Sequence, residues 1–204
     1  MGLFSVDSPL YKFISRLWDM IVLNFLWLVF SIPIITIGAS TVAAYSVALK
    51  MVDDEEGYIA RSFVKAFKDN IRQGVVLGLI AMVAGYIVYI NFALFNALDS
   101  NPLPLLLVGI VAGIYFLSSL LYAFPLAARY HNTIFQIMRN SRQICRKYFL
   151  RTIILVIFLV LMICAALWNN TTMVFGALIG PAFLIFLSSA FSKRIFQKIE
   201  KEQE

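Results

Sequence analysis

The chain has 204 residues, of which 61% are hydrophobic and 14% charged, against roughly 45–50% and ~25% in soluble domains. A water-soluble fold of this size must keep a polar surface and cannot hide that much apolar side chain, which excludes a soluble enzyme, a disordered chain and a disulfide scaffold. The net charge of +6, from 17 Lys and Arg against 11 Asp and Glu, then reads as membrane sidedness rather than as a nucleic-acid footprint.

Residues 1–16 form a polar-aromatic lead suited to an interfacial amphipathic helix, with Phe13, Ile14 and Leu17 on its apolar side. The apolar run that follows outlasts the ~7–15-residue core of a signal peptide and reads as a retained anchor. It extends from Leu17 to Val52, with breaks near Pro33 and Gly38. A span needs about 20 residues, so the run holds either two short spans, 17–33 and 36–52, or one long one. Further spans follow at 74–97, 103–128, 149–168 and 172–192, with turns marked by Asn101, Pro102 and Pro104 and by 168–172.

Placement of Lys and Arg chooses between the counts. The lead holds two, segment 50–73 five, segment 129–151 six and the tail four, and the intervening turns hold none. Six spans put all of them on the cytoplasmic side, whereas five leave the lead outside against the positive-inside rule. The expected architecture is all-α: a polytopic transmembrane helix bundle of about six spans with both termini cytoplasmic. Residues 1–16 are the lead and 17–192 the bundle, with amphipathic cytoplasmic segments 53–73 and 129–148. Residues 193–204 are the tail. Segment 31–40 is either a full extracellular turn or a re-entrant hairpin.

No Asp, Glu, Lys, Arg or His falls near the middle of a span, which disfavours proton-driven transport. Pro33, Thr36 and Gly38, and Gly180 with Pro181, are candidates for a hinge or cavity. Gly74-x-x-x-Gly78 and Gly109-x-x-x-Gly113 fit close helix packing within the bundle. In the cytoplasmic segments, Phe63, Phe67 and Ile71 form an apolar stripe beside Arg61, Lys65, Lys68 and Arg72. Ile134, Ile137, Met138 and Cys145 form a looser one beside Arg139, Arg142 and Arg146. Both segments carry N-x-R-Q, at Asn70 and at Asn140, each just before a span. Arg61, Phe63, Phe67, Asn70, Arg72, Arg139, Asn140 and Arg142 are therefore candidate contacts for anionic lipid or a partner subunit. Cys145 and Cys164 do not suggest a disulfide. His131 stands alone, and Asp53-Asp54-Glu55-Glu56 reads as a solvated turn. No catalytic, cofactor or metal motif is present, so the expectation is a protein that is not an enzyme and uses no cofactor.

The stretch N-F-L-W-L-V-F-S-I-P-I-I-T-I-G-A-S-T-V-A-A-Y, then E-E-G-Y-I-A-R-S-F-V-K-A-F-K-D-N-I-R-Q, and later F-P-L-A-A-R-Y, resembles the YesL-like family of small bacterial membrane proteins over nearly the whole chain. The matching residues are Pro33, Thr36, Gly38, Arg61, Phe63, Phe67, Asn70, Pro125 and Arg129. The resemblance implies a bacterial plasma-membrane protein encoded beside sugar ABC importers and glycan-degrading enzymes, with no catalytic residues to carry over. The chain lacks the E-A-A-x-x-x-G pattern by which an importer permease engages its ATPase. The expectation is an accessory or regulatory component of a carbohydrate uptake system, in contact with the lipid bilayer and with ABC importer subunits or a sensor kinase. A small transporter or channel for a neutral solute such as a sugar is the alternative.

Overall fold

The structure, a computed structural model, describes residues 9–55, 57–98 and 103–202. The first eight residues of the lead, Glu56 of the acidic run, Asn101 and Pro102 of the turn, and the last two residues of the tail lie outside the described residues. Within them the chain forms α1 (Pro9–Ser31), a single 3-10 turn (Ile34–Thr36), α2 (Ile37–Met51), α3 (Ile59–Ala97), α4 (Leu103–Leu120), α5 (Ala123–Arg129), α6 (Ile134–Lys147), α7 (Phe149–Ala166) and α8 (Asn170–Lys201). Six helical stretches are long and apolar enough to cross a membrane: Phe13–Ser31, Ile34–Met51, Ile59–Ala97, Leu103–Arg129, Phe149–Ala166 and Asn170–Lys201. The chain is a multi-pass helical membrane protein.

Four boundaries differ from the sequence expectation. The described part of the lead is not a separate interfacial helix, because nothing breaks the chain between Pro9 and Ser31 and α1 runs through. Segment 53–73 and the span at 74–97 are one helix from Ile59 onward. Phe63, Ala66, Gly74, Leu77, Gly78 and Ala84 keep one buried stripe in register across the join. The tail likewise continues α8, since Ile195 and Phe196 extend the buried stripe of Ile185, Ser188, Ser189 and Ser192. The expected span 103–128 is instead two helices. Pro125, in the first turn of α5, has no N–H to offer the carbonyl of Leu121, and the break falls at Leu121–Tyr122. The ends of other helices follow familiar caps: Thr133 with Gln136 and Asn169 with Thr172 form capping boxes at the starts of α6 and α8.

Burial inverts the pattern of a soluble bundle. The span at α2 is 61% buried, whereas only 6% of the α7 span is, although α7 is the more apolar. Lipid tails are as apolar as leucine, so helices pack inside by size and shape rather than by hydrophobicity. Small residues fill α2: Gly38, Ala39, Ser40, Ala43, Ala44 and Ala48 are all buried. Most Leu, Ile, Val and Phe of α1, α4 and α7 face outward, with Leu23 and Leu155 as buried exceptions.

The tightest contact joins α2 to α3. A Cβ placed on Gly38 would lie 2.1 Å from the Gly74 carbonyl oxygen and 2.5 Å from the Gly78 Cα. One on Gly74 would lie 2.4 Å from the Ala39 Cα. Backbone meets backbone here, so no side chain can yield. Beside this contact, Phe30 of α1 packs edge-on against Phe63 at 5.3 Å and Phe67 at 4.8 Å.

The connection from α1 to α2 satisfies its own backbone. Thr36 Oγ1 lies 2.7 Å from the carbonyls of both Phe30 and Pro33. Ser40 donates to the Trp27 carbonyl, and the Trp27 indole N–H donates to Thr41. Ile32, Ile34 and Ile35 at the tip point outward, so the turn suits an apolar surrounding.

Two further helix breaks are closed by side chains from elsewhere. Pro181 interrupts α8 and removes the donor for the Ala177 carbonyl. The buried amide of Asn24 on α1 takes its place. Asn24 Nδ2 donates to the carbonyls of Ala177 at 3.0 Å and Leu178 at 2.8 Å, and Oδ1 accepts the Ala182 N–H at 3.2 Å. At the α4–α5 break, buried Ser141 of α6 accepts the Tyr122 N–H at 3.2 Å and donates to the Ser118 carbonyl at 3.0 Å. In each case the side chain bridges an i to i−4 pair that the backbone no longer closes, which is how a membrane helix tolerates a break.

Asn24→Leu leaves two carbonyls and one N–H without their bridge and is expected to cost about 1–3 kcal/mol. In a Pro181→Ala background the residue-181 N–H returns to the Ala177 carbonyl and the cost falls. A double-mutant cycle on detergent-solubilised protein reads the difference; equal costs in both backgrounds contradict the bridging role.

Candidate functional site

The charged side chains of five elements meet at one end of the bundle. Arg16 of α1 donates to the Met51 carbonyl at the end of α2, at 2.8 Å, and pairs with Asp54. Asp53 beside it pairs with Lys193 of α8, whose side chain is only 4% exposed. The start of α1, the end of α2 and the last third of α8 are thus tied together, which makes α1 and α2 an antiparallel hairpin. Further out, Glu200 of α8 accepts from Arg129 at 3.0 Å and from the Tyr130 hydroxyl. Lys147 at the end of α6 pairs with Glu202.

These pairings set the protonation of the end. Burial first, and then the Glu200 carboxylate, push the Tyr130 phenol up to about 12. Burial raises the Cys145 thiol to about 11, so it stays protonated. Glu202 raises Lys147 and Lys147 lowers Glu202, each through their shared hydrogen bond. Both cysteines are free.

Two cavities open on either side of the loop that follows α5. One, of about 360 Å³, lies between α2, α3 and α5 and is lined by Lys50, Arg61, Lys65, Asp69, Asn70 and Arg129 among others. The other, of about 410 Å³, lies between α5, α6 and α8, with Asn132, Asn140, Gln143, Lys147 and Glu200 on its wall. Tyr130 lines both. The two N-x-R-Q segments flank this loop: Gln73 donates to the Asn132 carbonyl, and Gln143 shares the second cavity with Asn132.

The structure scatters the expected hinge or cavity residues. Pro33 is exposed and precedes the 3-10 turn, Thr36 closes that turn, and Gly38 is filled by α3. Gly180 and Pro181 line an open apolar groove of about 430 Å³ between α7 and α8, facing away from Asn24's bridge. A Cβ on Gly180 meets nothing within 4 Å.

The expected contact residues divide. Phe63 is fully buried and Phe67 is packed against Phe30, so neither is presented to lipid or to a partner. Their stripe faces the core because α1 and α2 cover it. Arg61 and Asn70 share the first cavity, and Asn140 lines the second. Arg72 and Arg139 are exposed. Arg142 turns inward, donating to Ser119 at 3.0 Å with its guanidinium 5.1 Å from the Tyr115 ring centre. Lys50, Lys65 and the Arg129–Tyr130–Glu200 group were not among the expected site residues. Lys65 stands one turn after Arg61, a local signal; Lys50 and Glu200 carry none, since their relation to Arg61 and Arg129 is made only by folding.

Residues 20–92 match the family described as Protein of unknown function, DUF624. That stretch runs from α1 through most of α3 and contains the Gly38–Gly74–Gly78 contact. The chain is 23% identical to "Uncharacterized protein YesL" of Bacillus subtilis (strain 168), across 98% of its own length and 95% of the relative's. No solved structure matches it. Together these similarities support the YesL-like family to which the motifs pointed.

Proposed function

We propose that the protein is a non-enzymatic accessory or regulatory component of a carbohydrate uptake system of the ABC type, held in the bacterial plasma membrane with both termini cytoplasmic. One observation carries this reading: most of the apolar stripe of each amphipathic segment, Phe63 and Phe67 on α3 and Ile137 and Cys145 on α6, is packed inside the protein while Ile71 stays exposed, so the polar end presents a largely basic surface. Lys68 and Arg72 on α3 and Arg139, Gln143 and Arg146 on α6 are all exposed. A surface of this kind suits the acidic face of a partner subunit better than it suits a lipid-embedded contact. The carbohydrate association rests on the YesL-like resemblance, and the cytoplasmic side on the gathering of Lys and Arg at one end. Importer subunits or a sensor kinase are the partners it favours.

The neutral-solute transporter is the weaker reading. It rests on the helix breaks near Pro33 and at Gly180–Pro181. Thr36 hydrogen-bonds within the first and Asn24 bridges the second, and the groove beside Pro181 is apolar.

Sidedness is tested with single cysteines in a Cys145→Ser, Cys164→Ser background and an impermeant maleimide on intact cells. Trp168→Cys is expected to label, whereas Asp54→Cys and Lys201→Cys label only after permeabilisation; the reverse pattern contradicts the orientation. For the partner, tagged protein is extracted in mild detergent and its co-purifying chains are identified. Importer or kinase subunits are expected with the native chain and at least tenfold less with Arg139→Glu plus Arg146→Glu. Equal recovery with this variant, or no such subunit with the native chain, refutes the docking reading.

A further inference from the structure

We propose that the cavity between α2, α3 and α5 is a binding site for a phosphate group, carried either by a lipid headgroup or by a small soluble phosphate. The inference goes beyond the docking reading and does not depend on it.

The argument starts from charge. Lys50 from α2 and Arg61 with Lys65 from α3 converge on a space of about 360 Å³, within the usual range of small-ligand sites. Among the described residues none of the three makes an ion pair. Arg129 stands at the same wall but is held by Glu200. Asp69 is the one carboxylate on the lining. Three free cations therefore face one acid. Helices α2 and α5 both end here, and their terminal dipoles of about half a charge each leave the site still positive.

The neighbouring cavity between α5, α6 and α8 does not share this bias. It is of similar size, about 410 Å³, yet its charged wall residues are Lys147 and Glu200, one of each sign. Of these two cavities, the first joins an excess of cations to neutral donors. Ser46 and Asn70 add a hydroxyl and an amide, and His131 adds an imidazole. A guanidinium with two ammonium groups and flanking neutral donors matches a tetrahedral oxyanion. Ala66, Ala127 and Ala128 keep the floor small, leaving room for the group that carries the phosphate.

Placement adds to this. Arg61, Asn70 and Arg129 are among the residues that carry the family resemblance, and folding brings them from separate segments to one cavity. Lys68 and Arg72 lie on the same helix, are equally exposed, and do not line it. They make a charge-matched control.

The test uses the full chain purified in a neutral maltoside detergent without phosphate. Two probes are titrated separately at constant ionic strength: inorganic phosphate, and dihexanoyl phosphatidylglycerol below its micellar concentration. Saturable binding of at least one probe is expected. Arg61→Gln with Lys65→Gln should weaken it at least tenfold, Lys50→Gln severalfold, and Lys68→Gln with Arg72→Gln should leave it unchanged. Saturation by inorganic phosphate assigns the site to a soluble ligand, and saturation by phosphatidylglycerol alone assigns it to a headgroup. If the Arg61, Lys65 variant does not fold, as read by its melting temperature, Lys50→Gln on the opposite wall decides. Absence of saturable binding for both probes, or equal weakening by the Lys68, Arg72 control, overturns the proposal.

Discussion

The structure depends on the approach of α2 to α3 at Gly38, Gly74 and Gly78. Without a hydrophobic force to drive helices together inside a membrane, association rests on contact area and on short distances. Three glycines and Ala39 let two backbones touch. That contact seats α2 at the centre, where its small residues admit α1, α5 and α8 on its other sides. It also fixes the register of α2 along α3. Lys50 thereby comes to lie beside Arg61 and Lys65, and Asp53 and Asp54 come within reach of Lys193 and Arg16.

A second constraint follows from the solvent. A bilayer offers a backbone no hydrogen bonds, so each interruption of a helix must be satisfied by the protein itself. Asn24 and Ser141 do this at the breaks near Pro181 and Pro125, and Thr36 does it at the first turn. The polar residues inside the bundle thus act as joints of the backbone. Charged groups among the described residues, by contrast, mostly gather at one end, where some pair with one another, some line two cavities and others, such as Lys68, Arg72, Arg139 and Arg146, stand exposed.

Much of the architecture was legible in the sequence, and for local reasons. Apolar run length and the placement of Lys and Arg pointed to six spans, and the described residues hold six helical stretches long and apolar enough to cross. The pattern Gly74-x-x-x-Gly78 was read as helix packing, which it is. What was hidden is pairing over distance. Gly38 and Gly74, or Asn24 and Ala182, are separated by long stretches of chain, and no local period relates them. The stripe at Phe63 and Phe67 shows the same limit: a period of 3.6 says that a face is covered, but not whether lipid, a partner or α1 covers it. Continuity was missed where composition changes but geometry does not, as in α3 across Arg72–Gly74 and in α8 beyond Ser192. The cationic cavity was legible only as separate charges, because Lys50 and Arg129 join Arg61 through the fold.

The most direct measurement compares Gly38→Leu with Gly85→Leu by thermal unfolding of the detergent-solubilised protein. Gly85 lies further along α3, and a Cβ there meets nothing within 4 Å. The account predicts that Gly38→Leu costs at least the ~1–3 kcal/mol of an overpacked core, or prevents folding, while Gly85→Leu stays within about 0.5 kcal/mol of the native chain or gains stability from its better helix propensity. Equal melting behaviour of the two variants would contradict the central place given to the α2–α3 contact.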